Sequence, residues 1–318
     1  MQPTMAPDAR SIACCVSTLH RAAGLEATLR SLAEQRSTLP AGVSVVAIVV
    51  SNDPADPAPA EVVARVRRDT GIDVILEAEP QRGVAFPRNR ALGLARQAVG
   101  STGLIAFIDD DETAGGGWLA ALLAARDRFG PGIVTGPVDP SFDEPPAPWV
   151  IDGGFFAAAV HSTGERRPWA FTNNVLFDAA LVDDAGPRFA TGFLRAGEDR
   201  HFFQRLAHGG VPIRWVDEAR VVESIPPSRA TEDWLVRRQR SVGRCVAPIE
   251  RDLRGRASAL ALCSVKGIAW IVIGSARHVA ARRTEHSVRA RMQRAWGIGL
   301  LEGAWIPSTA GRPVAAQD

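Results

Sequence analysis

The chain has 318 residues, of which 46% are hydrophobic and 23% are charged, and its net charge is +2, as in a folded soluble protein. Its four cysteines lack the paired spacing of a metal site or a disulfide framework, so we expect buried thiols in a reducing compartment. The first ten residues contain no apolar segment of the kind found in a signal peptide, and we therefore expect a cytoplasmic protein.

The first half of the chain alternates predicted strands with predicted helices. Apolar, β-branched runs predict four strands, at residues 11–18, 43–53, 72–79 and 103–111. Helical spacing of apolar residues predicts helices at 22–35, from about residue 61, at 88–99 and at 118–129. Continuous apolar strands separated by helices indicate a parallel sheet that helices cover on both faces. In such sheets, ligands bind at the carboxyl ends of the strands.

The fourth predicted strand ends in four adjacent acids, Asp109, Asp110, Asp111 and Glu112. Asp109 and Asp111 form an Asp-x-Asp pair, and two such carboxylates can hold Mg²⁺ or Mn²⁺, which in turn bridges substrate phosphates. A bound cation would also remove the repulsion between these carboxylates, which otherwise raises the pKa of one of them. The alternative is an exposed acidic turn that caps the next helix, and the pair alone does not decide between the two.

The composition changes after the fourth strand. Pro and Gly are frequent between about 135 and 225, which indicates a mixed second portion of the same domain with long loops that can close over a substrate. From Arg237 to Arg294 the chain has 13 Arg and one Lys against three acids. This basic region predicts either a solvated helical face or an acidic partner, which would be a membrane or a nucleic acid.

Residues 257–276 form an apolar segment whose single charge is Lys266, with arginines on both sides. Twenty such residues are just long enough to span a bilayer, but Ser, Gly and Lys make the segment weakly hydrophobic. Three interpretations stay open: a helix that lies in the membrane interface, a spanning helix, and a core helix of a soluble protein.

Six segments carry a resemblance to a known family. In chain order they are CVSTLHRAAGLEATLRSLAEQ, VVSND, PQRGVAFPRNRAL, GLIAFIDDDE, AGEDRHFFQRLAHGG and WLVRRQRSVG. Together they resemble the inverting glycosyltransferases of family 2, which have the GT-A fold, over about residues 11–245. FIDDDE with GPVDP and PPAPW is most similar to the branch that builds succinoglycan-type exopolysaccharides.

This resemblance implies an α/β fold of GT-A type, a Rossmann-like and mostly parallel sheet with helices on both faces, followed by a basic, mainly helical C-terminal tail. We expect a disordered N-terminus at 1–10, the glycosyltransferase domain at 11–245 and a membrane-associating region at 246–318.

The resemblance also implies roles for particular residues. Asp199 is expected to be the general base, with its neighbour Glu198 as the alternative. The residues expected at the nucleotide-sugar are Thr18, Asp53, Arg88, Asp109, Asp110, Arg237 and Arg240. The metal ligands are expected to be Asp109 and Asp111, and the acceptor contacts Trp149, Asn173 and Asn174. Each has a structural alternative: a first-turn acid, a surface arginine, a turn asparagine or an aromatic that anchors a loop.

Two departures from the family pattern bear on function. The acidic pair that usually follows the second strand is here Ser51, Asn52 and Asp53, so that only Asp53 is charged. The Gln-x-x-Arg-Trp motif of processive synthases is absent from VRRQRSVG, which predicts the addition of single sugars.

The resemblance implies a metal-dependent, hexosyl-type inverting glycosyltransferase with Mg²⁺ or Mn²⁺ as cofactor. Its donor would be a nucleotide-sugar, UDP-linked, and its acceptor a lipid-linked glycan at the anionic inner face of the cell membrane, with no nucleic-acid partner. Two alternatives are a catalytically inactive sugar-nucleotide-binding assembly subunit and a sugar-phosphate nucleotidyltransferase. The nucleotidyltransferase would need a Gly-rich basic loop after the first strand, where STLHRAAG has only Arg21.

Overall fold

A computed structural model describes residues 10–182, 188–193 and 196–305. The predicted disordered N-terminus lies outside the described residues, apart from Arg10. The chain divides into two compact units. The first consists of the residues up to Asp139, Ala158–Phe189 and Phe202–Glu223, and the second of Pro140–Ala157, Ala190–His201 and the residues from Ser224 onward.

The strands are β1 (Arg10–Thr18), β2 (Val43–Ser51), β3 (Asp73–Ala78), β4 (Leu104–Phe107), β5 (Glu112–Ala114), β6 (Ile133–Thr135), β7 (Val138–Phe142), β8 (Val175–Asp178), β9 (Ile213–Trp215) and β10 (Val221–Ile225). The α-helices are α1 (Ala22–Gln35), α2 (Ala58–Thr70), α3 (Ala85–Val99), α4 (Trp118–Phe129), α5 (Pro148–Asp152), α6 (Glu198–His208), α7 (Glu232–Arg254), α8 (Arg256–Ala280) and α9 (Thr284–Trp305).

The first unit contains a seven-stranded sheet of order β3-β2-β1-β4-β8-β6-β9. Strands β1, β2, β3 and β4 are parallel to one another, and β6 is parallel to β9. Strand β8 is antiparallel to both of its neighbours. A smaller sheet has the order β5-β10-β7. The predicted α/β fold with a mostly parallel sheet is therefore confirmed.

Both faces of the large sheet are buried, as its continuous apolar strands predict. Side chains alternate along β1: Ile12 and Cys14 face one core together with Leu25 of α1 and Leu119 of α4. Ala13 and Cys15 face the other core, which Leu92 of α3 and Phe202 of α6 complete. Helices thus cover the sheet on both sides.

The second unit is mainly helical. Thr231 begins α7 as its N-cap, with a side-chain oxygen that accepts the Trp234 N–H at 3.3 Å. Helices α7 and α9 approach closely through glycines: a Cβ atom on Gly243 would lie 2.4 Å from the Trp296 carbonyl oxygen, and one on Gly299 would lie 2.2 Å from that of Arg240. A larger residue at either position would push the two helices apart.

Among the helices in the described part of the chain, α8 alone has the length and apolar composition that a membrane crossing requires. Only 22% of its most apolar window is buried. The predicted apolar segment 257–276 lies within this helix.

Candidate active site

The acidic cluster lies where β4 ends. All four residues of β4 are buried, and the Ile108 N–H still donates to the Cys15 carbonyl oxygen at 3.2 Å. The chain then turns through Asp110 and Asp111 and enters β5 at Glu112. Asp110 is only 6% exposed and Glu112 only 2% exposed, so both carboxyl groups lie inside the protein. The carboxyl groups of Asp109 and Asp111 reach the surface.

Two arginines from distant parts of the sequence oppose these acids. Arg21, just before α1, donates from Nη1 to Asp111 Oδ2 at 2.6 Å and to Asp110 Oδ1 at 3.1 Å. Arg88, in α3, donates from Nη2 to Asp109 Oδ1 at 3.2 Å. Each of the three aspartates therefore has a guanidinium contact, and the cluster forms a mixed-charge site at the sheet edge.

Helix α1 reaches this turn because residue 24 is glycine. A Cβ atom there would lie 2.2 Å from the carbonyl oxygen of Asp110, which a real side chain cannot tolerate. Thr28 of the same helix donates its hydroxyl to the carbonyl oxygen of Glu112 at 2.6 Å. The N-terminal half of α1 thus holds the acidic turn in place.

The buried acids have raised pKa values. Burial raises the pKa of Asp110, while the Thr18 hydroxyl and the Arg21 charge act in the opposite direction. Burial and the nearby Asp109 carboxylate raise the pKa of Glu112 well above its usual range. Glu112 Oε2 accepts the backbone N–H of Asp109 at 3.0 Å and thereby fixes the turn from inside.

A second polar group lies at the ends of β2 and β3. Asn52 Nδ2 donates to the carbonyl oxygens of Glu79 at 2.8 Å and Gln81 at 2.7 Å, which joins the two strand ends. Asp53 Oδ2 lies 3.2 Å from His20 Nε2 and 3.5 Å from Arg82 Nη2. Thr18, the last residue of β1, accepts the Asn52 N–H at 2.9 Å.

Four of the predicted donor residues lie at the carboxyl ends of strands in the first unit: Thr18 at β1, Asp53 at β2, and Asp109 and Asp110 at β4. The fifth, Arg88 in α3, contacts Asp109. No site role is predicted from the sequence for Arg21, His20 or Arg82. His20 has a strained backbone: it is the only non-glycine residue in the described part of the chain with a positive φ, 55°. Such backbone strain is often found at functional sites.

The two predicted acceptor asparagines differ in their surroundings. Asn174 is fully buried: its Oδ1 accepts the Trp118 Nε1–H at 2.8 Å, and its Nδ2 donates to the carbonyl oxygens of Pro137 and Ala219. Asn173 is half-buried in the turn before β8. These bonds give Asn174 a structural role, and acceptor contact by either residue stays a prediction.

The predicted base lies in the second unit, in the first turn of α6. Glu198 is 1% exposed, whereas Asp199 is half-buried and accepts the Arg200 backbone N–H at 2.6 Å. Of these two acids, Asp199 is the one with the more accessible side chain. The preceding Gly197 has φ +100°, a left-handed conformation that favours glycine.

Helix α7 holds the start of α6. The Cys245 thiol donates to the Ala196 carbonyl oxygen at 3.0 Å, and a Cβ atom on Gly197 would lie 2.7 Å from the Cys245 Cβ. His201 Nε2 lies 2.8 Å from Asp252 Oδ2. Burial lowers the pKa of Arg200, and the charges of Glu250 and Asp199 counteract this effect. Contacts from α7 thus fix the helix turn that carries Asp199.

The other predicted residues of the second unit lie on α7 and α5. Arg237 is exposed. Arg240 forms a salt bridge with Glu302 of α9, which raises its pKa. Trp149 contacts Phe155 edge-on, with ring centroids 5.6 Å apart. Arg240 and Trp149 therefore each have a structural partner within this unit.

The described residues include no group of three or more His, Cys, Asp or Glu side chains arranged as a metal site. In phosphate-handling enzymes Mg²⁺ is held by one or two carboxylates together with substrate phosphates. Asp109 and Asp111 supply such hard oxygen ligands, both partly exposed, and their chemistry fits a divalent cation.

Solved structures with the same fold define the class. The mannosyltransferase PcManGT from Pyrobaculum calidifontis, in complex with GDP-Man and Mn²⁺, aligns with a TM-score of 0.58 and 20% identity, over 96% of this chain and 91% of that chain. TarS of S. aureus aligns with a TM-score of 0.50 and 15% identity, over 90% of this chain and 54% of that chain, so the chain spans about half the length of TarS. The fold is that of the GT-A glycosyltransferases.

The sequence comparisons agree with this class. Residues 13–186 match the family described as Glycosyl transferase family 2. Over 290 residues the chain is 31% identical to the succinoglycan biosynthesis protein ExoM of Rhizobium meliloti (strain 1021), which covers 89% of this chain and 90% of that protein. The chain belongs to glycosyl transferase family 2, and the predicted family is confirmed.

Proposed function

We propose that this glycosyltransferase moves a single hexosyl-type sugar, with inversion, from a UDP-linked donor to a lipid-linked glycan. The reaction would take place at the cytoplasmic face of the cell membrane, in the synthesis of an exopolysaccharide or another envelope glycan. The observation that carries the proposal is the cluster of Asp109, Asp110 and Asp111 at the end of β4, which Arg21 and Arg88 contact. The 31% identity to a succinoglycan biosynthesis protein supports the glycan pathway.

Asp109 and Asp111 are the residues that would hold Mg²⁺ or Mn²⁺. When bound, the cation supplies positive charge that stabilises the diphosphate leaving group. PcManGT was solved with Mn²⁺ and a GDP-sugar, and residues 1–349 of TarS were solved with UDP, which supports a nucleotide diphosphate donor here.

The arginines have a role that follows from their present contacts. Arg21 and Arg88 neutralise the acidic turn in the structure, and their guanidinium groups at the ends of β1 and β4 would also suit the donor phosphates. Asp53, beside His20 and Arg82 at the end of β2, can accept hydrogen bonds from the nucleoside. Arg237 and Arg240 of α7 can neutralise the departing diphosphate.

Asp199 would act as general base. Its carboxylate takes the proton of the acceptor hydroxyl while that oxygen attacks the anomeric carbon, and the bond from that carbon to the diphosphate oxygen breaks on the opposite side. The accessible side chain of Asp199 supports this choice over the buried Glu198. A single displacement of this kind inverts the anomeric configuration. Trp149 and Asn173 can contact the acceptor sugar.

A thermal-shift screen of nucleotide-sugars in the presence of Mn²⁺ tests the donor site. A donor at 100 times its Kd stabilises the folded state by about 2.7 kcal/mol through mass action, enough for a clear rise in Tm. We expect one UDP-sugar to give this rise, Asp111→Asn to abolish it, and the matched surface variant Asp127→Asn to retain it. Stabilisation by no nucleotide-sugar would contradict the proposal. Stabilisation without any turnover in the presence of acceptor would favour an inactive assembly subunit.

A further inference from the structure

Helix α8 has an apolar face that is exposed in the second unit. Val265 is 70% exposed, Ile268 58%, Val272 61% and Val279 88%. Residues spaced by three, four and seven positions lie on one side of a helix, so these four side chains form a continuous stripe, which Ala261 and Ala276 extend. We call these six residues the apolar face of α8. An unbroken aliphatic surface of this kind indicates an interaction site.

The opposite side of α8 packs against α9. Its buried residues are Ala259, Cys263, Gly267 and Gly274. A Cβ atom on Gly267 would lie 2.9 Å from the Gly297 carbonyl oxygen, and one on Gly274 would lie 2.7 Å from that of Ala290. Gly267 thus meets Gly297 and the later Gly274 meets the earlier Ala290, so the two helices run antiparallel and side by side.

This packing decides how α8 can meet a bilayer. Helix α9 is not apolar: Arg291 forms a salt bridge with Glu232 of α7, Arg294 is exposed, and Gln293 bonds to Arg277 of α8. If α8 crossed the hydrocarbon, these charged and polar side chains would have to enter it as well, which is strongly unfavourable. Lying in the plane of the interface, α8 can bury its apolar face and keep α9 in water.

The charges near α8 identify the partner. The 32 residues from Leu253 to Thr284 contain six cations and no acid. The cations are Arg254, Arg256, Lys266, Arg277, Arg282 and Arg283, and all six are exposed. Two of them form ion pairs just outside this range, Arg254 with Glu250 and Arg283 with Glu285. A basic flank beside an aliphatic face is suited to a surface that is apolar inside and anionic outside, which describes an anionic lipid bilayer.

We infer that the apolar face of α8 is a docking surface for an anionic bilayer, into which α8 enters in the plane of the interface and does not cross. The inference depends on the proposed function in one respect, the lipid-linked acceptor, which gives the enzyme a reason to be held at the membrane. It selects the first of the three interpretations of segment 257–276.

Flotation of the full-length protein with vesicles tests the docking surface. We expect binding to phosphatidylcholine vesicles that contain phosphatidylglycerol, and weaker binding to phosphatidylcholine alone. Val265→Asp and Val272→Asp should each weaken binding by roughly tenfold or more, because each places a charge in the apolar contact. Val160→Asp, at an 85% exposed valine of the first unit, is the matched control and should bind as the wild type does.

Three results would overturn the inference. The first is binding by Val265→Asp and Val272→Asp at the wild-type level. The second is a stable dimer in sedimentation that these variants dissociate, which would assign the face to a second copy of the chain. The third is resistance of vesicle-bound protein to extraction with alkaline carbonate, because a helix in the interface is released and a spanning helix is not.

The same variants separate this inference from the proposed function. Val265→Asp and Val272→Asp should keep the wild-type Tm and the wild-type response to nucleotide-sugar, because both positions are exposed and belong to the helical unit. Vesicle binding without any nucleotide response would leave the docking surface intact and reject the donor site. A nucleotide response without vesicle binding would support the donor site and reject the docking surface.

Discussion

Replacing Asn174 with alanine should destabilise the protein strongly, although its neighbour Asn173 has the same chemistry and was predicted to have the same role. The Asn174 amide makes three buried hydrogen bonds, with Trp118 Nε1 at 2.8 Å, the Pro137 carbonyl oxygen at 2.9 Å and the Ala219 carbonyl oxygen at 2.7 Å. Alanine removes all three at a position that is 0% exposed. The Trp118 indole N–H and the Ala219 carbonyl oxygen then lose this partner inside the protein, whereas the Pro137 carbonyl oxygen still accepts the Val221 N–H at 3.2 Å.

The magnitude follows from those bonds. A buried hydrogen bond contributes about 1 kcal/mol, and a partner left unsatisfied costs about 1–3 kcal/mol, so two unsatisfied partners and one further lost bond give a loss of roughly 3–7 kcal/mol. This is a large part of the 5–15 kcal/mol or so that is typical of native proteins. Asn173→Ala, in the half-buried turn position, should change stability by no more than about 0.5 kcal/mol.

Urea titration, followed by tryptophan fluorescence, measures both variants. Trp118 is fully buried and bonded to Asn174, and it reports on unfolding of this core. The expected result is a much lower urea midpoint for Asn174→Ala and an unchanged midpoint for Asn173→Ala, with a higher acceptor KM in the latter if it contacts the glycan. If Asn174→Ala instead keeps wild-type stability and loses acceptor binding, Asn174 contacts the acceptor and is not a structural residue.

Three further predictions concern charged residues. With excess chelator or with Asp111→Asn, donor binding should fall to background, while the Tm without donor should stay near the wild-type value. Full donor binding in chelator would show that donor binding does not need a metal ion. Asp199→Asn should lower kcat by roughly 10² to 10⁴ with little effect on donor affinity, and a larger effect of Glu198→Gln in a folded protein would move the base to residue 198. Glu26 has its pKa lowered to about 2 by hydrogen bonds from Arg65 and Arg30, so its contribution to stability is present above pH 4.5 and is lost as the pH falls toward 2. Glu26→Gln should therefore show a smaller loss of Tm across that window than the wild type, and an equal loss would contradict the assignment.

Strands β1, β2 and β4 could be predicted because their central residues are apolar without interruption, which is the pattern of a strand buried on both faces. The edge strand β3 has Asp73 and Glu77 among its apolar residues and is only partly buried. Two helices, α1 and α4, have the predicted bounds. Strand β4 ends at Phe107, earlier than predicted, because the chain turns at the acids and no longer pairs regularly with its neighbours. Helix α3 begins at Ala85 and not at residue 88, since Pro87 is tolerated in the first turn of a helix.

The antiparallel strand β8 could not be predicted in the same way. It inserts between β4 and β6, and this order depends on long-range pairing that leaves no local pattern in the sequence. Helix α7 continues through Pro248 to Arg254, where an internal proline would suggest a break. Its packing against α9 through Gly243 holds it in place.

The position of the acidic pair was predictable because ligands gather at the carboxyl ends of parallel strands. Its partners were not. Arg21 lies 90 residues before Asp111, and nothing in STLHRAAG indicates the contact that the fold creates. The structural role of Asn174 could not be predicted from the sequence for the same reason, because its three partners come from three separate parts of the chain.

Proton NMR of the sugar product shows whether one carboxylate base on α6 drives transfer from a nucleotide-sugar. The enzyme would be supplied with its donor, Mn²⁺ and a glycan acceptor, and the anomeric signal followed as product forms. We expect a product of inverted configuration, with formation slowed strongly in Asp199→Asn and unchanged in the exposed control Asp233→Asn. A product of retained configuration, or undiminished turnover in Asp199→Asn, would contradict this mechanism.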